Sequence, residues 1–247
     1  MKRFFLEVAY KGTDFSGFQK QINGITIQGE IEKAIQILEK TAIELTGSSR
    51  TDAGVHALQN FFHFDFDGTL HTQFIYKMNA ILPASIVLKS LREVTYDAHC
   101  RFQALGRQYR YRLYTQKNPF LKDTAYFFPY ALDQEKLKKS ADLIKSFVDF
   151  TSFSKQKTQV RNFDCQVKSS EWFFGENEFS YQVSANRFLR GMVKGLTGTM
   201  LQIGRGKLQI SDLEKIFLTK KNSATDFSVP SHGLFLEEVL FPDSVYR

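Results

Sequence analysis

Alternation of apolar and polar side chains predicts a chain rich in short β-strands. A period of two is typical of strands that bury one face and expose the other. The clearest case follows the central loop, where Phe62, Phe64 and Phe66 alternate with the polar His63 and Asp65. Strands are predicted over residues 3–10, 42–45, 62–66, 86–94, 107–114, 163–174, 178–185 and 234–241.

Apolar residues spaced three and four apart predict helices between these strands. Thr26 is the predicted N-cap of a helix that runs to Lys40. The apolar stripe of that helix consists of Ile31, Ala34, Ile35 and Leu38. Further helices are predicted from Thr72, over residues 133–147, from Asn186 through Met200, and after a capping box at residues 211–214.

The helix predicted from Asn186 sorts its residues into three faces. Its apolar face holds Phe188, Leu189, Met192, Val193, Leu196 and Met200. Its basic stripe holds Arg187, Arg190 and Lys194, and the simplest interpretation of such a stripe is a solvated face. Its third face holds Gly191, Gly195 and Gly198. Because an interior glycine costs roughly 0.5–1 kcal/mol relative to alanine, this face predicts a second backbone packed closely against the helix.

Composition and charge narrow the possible partners and location. The chain has 247 residues, 43% of them apolar and 24% charged, which is enough for one large or two medium domains. The net charge of +7 favours a polyanionic partner, of which nucleic acid is the commonest. Two cysteines, Cys100 and Cys165, fit a reducing compartment. Glu7 interrupts the only apolar run near the basic start, so no signal peptide and a cytoplasmic location are expected.

Candidate chemistry is concentrated in residues 47–57, which read Gly-Ser-Ser-Arg-Thr-Asp-Ala-Gly-Val-His-Ala. The small residues allow the backbone to turn tightly and to approach a ligand closely. Arg50 and Asp52 place a cation two positions from a carboxylate, on a loop expected between two strands. An alternative is a simple hairpin turn, with Asp52 capping the turn and Arg50 facing water.

This segment resembles the signature of the tRNA pseudouridine synthase A family, Gly-Arg-Thr-Asp-Ala-Gly-Val-His-Ala. Arg50–Ala57 match it without a gap, and Ser49 stands where the family usually has glycine. Further stretches are similar to family elements, and together they extend over nearly the whole chain, from Tyr10 to Phe241. They include Thr26–Glu30, Ala98–Phe102, Asp149–Phe153 and residues 230–234, while Phe18 replaces the usual tryptophan.

The resemblance implies roles for Asp52, Tyr109 and Lys194, and the reaction that it implies suggests one for Arg50. Asp52 corresponds to the catalytic aspartate, and Tyr109 to the tyrosine that stacks on the target uracil. Lys194 corresponds to a basic residue, more often arginine, whose cation pairs with the catalytic carboxylate. Arg50 is expected to fill the space left by a flipped base or to hold a phosphate. Asp52 either attacks C1′ of the sugar or assists its deprotonation, and both routes remain open.

The resemblance also implies a fold and a substrate. The expected fold is mixed α/β, the pseudouridine synthase fold, with two subdomains on a shared, mainly antiparallel sheet, helices packed on it and a central cleft. Residues 1–98 would carry the catalytic loop, and residues 99–247 the tyrosine strand and the basic helix. The expected substrates are uridines 38, 39 and 40 in the tRNA anticodon stem-loop, bound by a homodimer.

Other kinds of site find no support in the sequence. The five histidines and two cysteines fall in no metal-ligand spacing, so no zinc is expected. There is no phosphate-binding or dinucleotide-binding glycine motif, and uridine isomerisation needs neither a metal nor a redox carrier, so no cofactor is expected. Two alternative functions stay open: a non-catalytic RNA-binding module, and a synthase of the same fold that acts on a different RNA site.

Overall fold

A computed structural model describes residues 1–155 and 160–247 and shows a mixed α+β fold. Its strands are β1 (Lys2–Tyr10), β2 (Thr46–Gly47), β3 (His56–Phe66), β4 (Ile86–Val94), β5 (Gly106–Tyr114), β6 (Tyr126–Phe127), β7 (Val167–Phe174), β8 (Glu178–Ala185) and β9 (Leu234–Leu240). Its helices are α1 (Ile27–Glu39), α2 (Phe74–Ile81), α3 (Gln134–Ile144), α4 (Met192–Gly204) and α5 (Ile210–Thr219). Most strand pairs are antiparallel, so the predicted fold class is confirmed.

The described chain divides into two compact units, one of residues 1–105 with 235–247 and one of residues 106–234. In the first unit, β1 pairs antiparallel with both β3 and β4, and β9 lies parallel to β3. Alternation along β1 buries Leu6 and Val8 completely, as the period of two predicts. Thr26 caps α1 by accepting a hydrogen bond from the Gly29 amide, which confirms the predicted N-cap.

The second unit is built on β5, β8 and β7, which are antiparallel neighbours in that order. Tyr111 on β5 faces Tyr181 on β8, and both rings are fully buried. The Tyr111 hydroxyl donates to the Pro230 carbonyl at 2.7 Å, and the Tyr181 hydroxyl lies 2.9 Å from Ser170 Oγ. Burial raises the pKa of both phenols, which therefore stay protonated in the core of this unit. Tyr111 is thus an ordinary packing residue, as expected.

The strand predicted over residues 42–45 does not form. The backbone there is irregular, and strand structure begins only at Thr46. Side chains of α1 form hydrogen bonds with both backbone groups of Leu45. The Leu45 amide donates to Glu32 Oε1 at 3.1 Å, and the Leu45 carbonyl accepts from Gln28 Nε2 at 2.8 Å. These bonds replace the ladder bonds of a strand, and the alternation of residues 42–45 does not reveal them.

The N-cap predicted at Asn186 is observed five residues later, at Gly191, and α4 begins at Met192. Asn186 instead accepts a hydrogen bond from the Gln166 amide at 2.8 Å. Gly191 is the N-cap and has a φ of +77°, a left-handed conformation that glycine adopts without strain. Arg187 and Arg190 therefore lie before the helix, and the predicted helical stripe that joined them to Lys194 is wrong.

Close packing against the remaining glycines of α4 is confirmed. A Cβ atom on Gly198 would overlap the backbone carbonyl of Asp226, and one on Gly195 would lie 2.8 Å from the Phe227 ring. The cost of these helical glycines is offset by the contacts they allow with residues 225–227.

The capping box of α5 lies two residues earlier than predicted. The Gln209 amide donates to Asp212 Oδ2 at 2.9 Å, whereas Ser211 is already inside the helix. In the parts of the chain that the structure describes, no helix has both the length and the apolar character needed to span a membrane.

Candidate active site

The loop that connects β2 to β3 carries the Arg50–Asp52 pair. Where the loop begins, directly after β2, the Ser48 amide donates a hydrogen bond to the Phe61 carbonyl at 2.8 Å. The loop returns through a turn in which the Val55 amide donates to the Asp52 carbonyl at 3.2 Å. Gly54, the third residue of that turn, has a φ of +80°, as a type II turn requires. Asp52 is thus the first residue of a tight turn at the exposed end of the loop.

A buried polar network holds the stem of this loop. The Tyr10 hydroxyl lies 2.7 Å from Thr51 Oγ1. Asn60 Nδ2 donates to the Ser49 carbonyl at 2.8 Å and to the Tyr10 hydroxyl at 3.2 Å. All four residues are buried. Ser49 and Thr51 are therefore fixed from inside the unit, while their neighbours Arg50 and Asp52 are exposed to solvent.

The segment that follows β1 supports the loop from a second side. The Phe18 amide donates to the Thr51 carbonyl at 3.1 Å. The Phe18 ring stacks on Phe62 at 4.5 Å, with an interplanar angle of 8°, and fills the space beside Gly47. Gly17 has a φ of +113°, and a Cβ atom there would lie 3.3 Å from the Thr51 carbonyl oxygen. Phe18 thus packs against the loop stem, where the resemblance expects tryptophan.

His56, the histidine of the motif, has a structural position at the start of β3. Its Nδ1 accepts a hydrogen bond from the Gly12 amide at 3.0 Å, so the proton of the neutral ring is on Nε2. The ring stacks on Phe235 at 4.5 Å and is 1% exposed. A Cβ atom on Gly12 would overlap the Val55 carbonyl, so only glycine allows this approach. These contacts fix the C-terminal end of the loop.

Tyr109 lies on β5 of the second unit, opposite Val183 of β8. Its ring is half-buried and contacts the edge of Phe188 in a T-shaped arrangement, with ring centroids 4.9 Å apart. Phe188 belongs to the segment that leads into α4. The ring of Tyr109 is thus oriented by an aromatic neighbour and retains solvent-accessible surface.

Lys194 lies in the first turn of α4 and is half-buried. Its Nζ donates to Ser231 Oγ at 3.3 Å. The neighbouring His232 has a lowered pKa, chiefly because of burial, with a contribution from the Lys194 charge. Lys194 is therefore held by the turn before β9, and Arg190 is not its neighbour on a helix face.

The structure thus places Arg50 and Asp52 together on one loop of the first unit, and Tyr109 and Lys194 on β5 and α4 of the second. Sequence reasoning missed the supporting residues Tyr10, Asn60 and Ser231. Asn60 offered a signal, since it is an amide directly before two phenylalanines in a predicted buried region. Nothing in the sequence around Ser231 indicated its contact.

Comparison with known proteins identifies the family. The sequence profile described as tRNA pseudouridine synthase matches residues 7–103 and 148–242. The chain belongs to the tRNA pseudouridine synthase family. Two relatives named tRNA pseudouridine synthase A, from Azobacteroides pseudotrichonymphae and Parabacteroides distasonis, are each 36% identical to this chain over 248 residues. Both alignments cover the whole of this chain, and they cover 100% and 98% of the two relatives, respectively. A relative of that name from Staphylococcus aureus is 36% identical and covers 98% of this chain and 93% of its own.

This pseudouridine synthase belongs to a family of isomerases. The family profile covers three of the four candidate residues. Arg50, Asp52 and Lys194 lie in the matched ranges, whereas Tyr109 lies between them. The whole-length relatives extend over the Tyr109 region as well.

Asp149, the acid of the second family-like loop, is already engaged. Its Oδ1 accepts from the Thr151 amide at 2.9 Å, and Oδ2 pairs with Lys220 Nζ at 2.8 Å. Burial acts to raise the pKa of Asp149, but the hydrogen bonds from Lys220 and Thr151 outweigh it and lower the pKa. Asp149 therefore has a local structural role in holding the turn at residues 151–153.

Proposed function

We propose that this protein isomerises uridine to pseudouridine in tRNA, with Asp52 as the catalytic carboxylate. The observation that carries the proposal is the loop geometry. Ser49 and Thr51 are held by buried hydrogen bonds while Asp52 between β2 and β3 stays exposed. A rigid stem with an exposed carboxylate at its end is a preorganised catalytic arrangement. Membership of the family supports the reaction type.

The reaction moves one glycosidic bond without oxidation or hydrolysis. The N1–C1′ bond of uridine breaks, the uracil rotates while it is still bound, and a C5–C1′ bond forms. The proton on C5 is then lost and N1 gains a proton, so that the product is an isomer of the substrate. Asp52 either forms a covalent bond to C1′ or assists deprotonation of the sugar. Neither route needs a metal or a redox carrier, and the absence of a cofactor remains a prediction.

Recognition of the base is proposed to rely on Tyr109 and Arg50. A uridine in a stem must leave its stack before a side chain can reach the glycosidic bond. Tyr109 offers an oriented, partly exposed ring on which the flipped uracil stacks. Arg50, exposed two positions before Asp52, is suited to fill the vacated space or to contact a phosphate. Lys194 remains the proposed cation that keeps the catalytic carboxylate charged.

The finer assignments belong to this proposal as well. We propose uridines 38, 39 and 40 of the anticodon stem-loop as the targets, a homodimer as the working form, and a cytoplasmic location. The division of labour at residue 98 is retained as a proposal, with the carboxylate supplied by the N-terminal part and the stacking tyrosine by the C-terminal part. The net charge of +7 is consistent with a polyanionic substrate.

The test is to incubate the purified protein with unmodified tRNA transcripts and to map pseudouridine by chemical labelling. Signal at positions 38–40 is expected. Labelling only at another position would favour a synthase acting on a different RNA site, and no labelling with intact binding would favour the non-catalytic alternative.

The matching variant is Asp52→Asn, which keeps size and polarity but removes the charge and the nucleophile. We expect the single-turnover rate to fall at least about a thousandfold, as is typical when a catalytic nucleophile is lost, with tRNA affinity within about threefold of wild type. Asp67→Asn, at an exposed carboxylate just after β3, is the control and should retain full activity. An Asp52→Asn protein with a tenth of the wild-type rate would show that Asp52 is not the catalytic group.

A further inference from the structure

His63 meets His99 and Cys100, an adjacent pair that lies far from it in sequence, inside the first unit. His63 lies on β3, and His99 and Cys100 lie in the turn before β5. His63 Nδ1 is 3.2 Å from Cys100 Sγ, and the two imidazole ring centroids are 4.5 Å apart. One ligand atom from each residue lies within 4.8 Å of the others, and among the described residues this is the only such group of His, Cys, Asp or Glu side chains.

Hydrogen bonds hold the three side chains together. His63 Nδ1 accepts from the Cys100 amide at 3.4 Å and lies 3.2 Å from Cys100 Sγ, whose thiol proton also reaches the Thr46 carbonyl at 3.2 Å. His99 Nδ1 accepts from the Arg101 amide at 3.2 Å. A metal ion would replace these bonds, because it would take the place of the thiol proton between sulfur and nitrogen.

Ring and backbone contacts position His99, the third member of the cluster. The ring of His99 is held against Phe102 at 4.2 Å, and its amide donates to Gln103 Oε1 at 2.8 Å.

Two arginines near the cluster act against a further positive charge there. Arg3 acts on both histidines, and Arg101 acts on His99. The Arg3 guanidinium makes two 2.7 Å hydrogen bonds to the Asp65 carboxylate and a third to the Ala98 carbonyl at 3.0 Å, so Asp65 offsets part of its charge. A thiolate at Cys100 would supply the negative charge that a bound cation needs.

We propose that His63, His99 and Cys100 form a binding site for a zinc ion. A thiolate with two imidazoles is a ligand set that Zn²⁺ prefers, and a water molecule would complete the tetrahedron. Ligand atoms about 2.0–2.3 Å from Zn²⁺ lie about 3.3–3.8 Å from one another. His63 Nδ1 and Cys100 Sγ, 3.2 Å apart, lie about 0.1 Å short of this spacing, and the half-buried His99 has to move by about 1 Å.

Zinc binding is a simple ligand exchange in which the atoms and charges balance. The Cys100 thiol releases its proton to water as the S–Zn bond forms, the two imidazole nitrogens donate lone pairs, and no atom changes oxidation state. The deprotonated sulfur can no longer donate to the Thr46 carbonyl. Thr46 lies on β2, which leads directly into the loop that carries Asp52. The site is thus structurally coupled to the loop and is not a catalytic cofactor site.

This proposal departs from the expectation of no zinc, which considered only ligands close together in sequence. His63 and Cys100 are 37 positions apart, and only the packing of β3 against the turn before β5 joins them.

The test is titration of the metal-free, full-length protein with Co²⁺, followed by competition with Zn²⁺. Thiolate-to-cobalt charge-transfer absorption should saturate at one equivalent and disappear when Zn²⁺ is added. Cys100→Ala should abolish this absorption. Because this change removes a single sulfur atom from a buried site, the variant is expected to fold. Cys165→Ala removes the other buried cysteine and should leave the absorption unchanged.

A second variant tests the imidazole contribution independently of the thiol. His99→Gln, at a half-buried position, removes a proposed ligand and should weaken Zn²⁺ binding by more than the about 10–100-fold that loss of an outer-shell partner costs. Absence of charge transfer in the wild-type protein, or an unchanged signal in Cys100→Ala, would overturn the proposal. Because the measurement involves neither RNA nor turnover, its outcome is separate from that of the proposed activity.

Discussion

At the scale of single residues, the loop is defined by an alternation between held and exposed side chains. Ser49 and Thr51 bond to buried partners, and Arg50 and Asp52 face solvent. The motif gave the identity of the exposed pair, because a carboxylate in a glycine-rich loop is recognisable from sequence. It did not reveal Asn60, whose amide reaches across to the Ser49 carbonyl.

For Tyr109, we expect the phenylalanine variant to bind tRNA nearly as well as wild type and the alanine variant to bind more weakly. Loss of base–aromatic stacking costs about 1–3 kcal/mol, whereas the hydroxyl is not needed for stacking. Affinity measured by filter binding at fixed salt gives the comparison. Tyr76→Ala removes an exposed tyrosine from α2 and is the control. Equal losses in the phenylalanine and alanine variants would contradict a stacking role.

Lys194 is predicted to act through its charge. Lys194→Met should lower the single-turnover rate at neutral pH by at least about tenfold, equivalent to roughly 1.4 kcal/mol, while Lys194→Arg should retain much of the activity. Ser231→Ala removes only the oxygen that Nζ contacts at 3.3 Å and should cost little. Arg190→Met is the matched control, since Arg190 is exposed and precedes the helix. Near-normal turnover in Lys194→Met would exclude the charge role.

At the scale of secondary-structure elements, the loop that carries Asp52 depends on strands and side chains that are distant from one another in sequence. β2 is only two residues long and pairs with β3 at Phe62 and His63. Its short length follows from α1, because Gln28 and Glu32 bind the backbone of Leu45. The rest of the loop stem is held by side chains of β1 and β3. The loop that carries Asp52 is thus anchored mainly by side-chain hydrogen bonds and to a lesser degree by a sheet ladder.

Asn60 provides the test of this anchoring. Asn60→Leu leaves the buried Ser49 carbonyl without its donor, at a cost of about 1–3 kcal/mol in unfolding free energy. We also expect a lower turnover rate per folded molecule, because Asp52 loses its fixed position. Chemical denaturation and single-turnover assays on the same sample separate the two effects.

The matched control for Asn60→Leu is Asn79→Leu. Asn79 on α2 bonds both backbone groups of Leu88 at 2.8–2.9 Å, so its loss should also destabilise the first unit. It is not part of the loop stem, and the rate per folded molecule should stay at the wild-type value. If both variants turned over normally once folded, the buried network would have only a stabilising role.

At the scale of the whole molecule, charge is the property that bears most on function. With a net charge of +7, RNA binding should release counterions and weaken steeply with salt. Each neutralised phosphate contributes about −0.7 to −0.9 to the slope of log affinity against log salt concentration. We expect a slope steeper than about −2, which corresponds to several phosphate contacts. Affinity measured at a series of salt concentrations gives this slope. A slope near zero would remove the electrostatic part of the proposal.

Properties that depend on near neighbours along the chain were determined by the sequence itself. The Thr26 cap, the alternating strands and the motif at residues 50–57 are of this kind, because capping and side-chain period involve residues a few positions apart. The close approach at Gly198 also followed from sequence, since helical glycines are costly unless a backbone packs on them.

Properties that depend on distant partners were decided only by the tertiary structure. Residues 42–45 form no strand because side chains of α1 bond to the backbone of Leu45. Helix α4 begins later than predicted because Asn186 accepts a hydrogen bond from the Gln166 amide. The meeting of His63 with Cys100 is of the same kind. A backbone or side-chain group bonds to whichever partner the fold brings within about 3 Å, and local periodicity carries no information about a partner that is dozens of residues away.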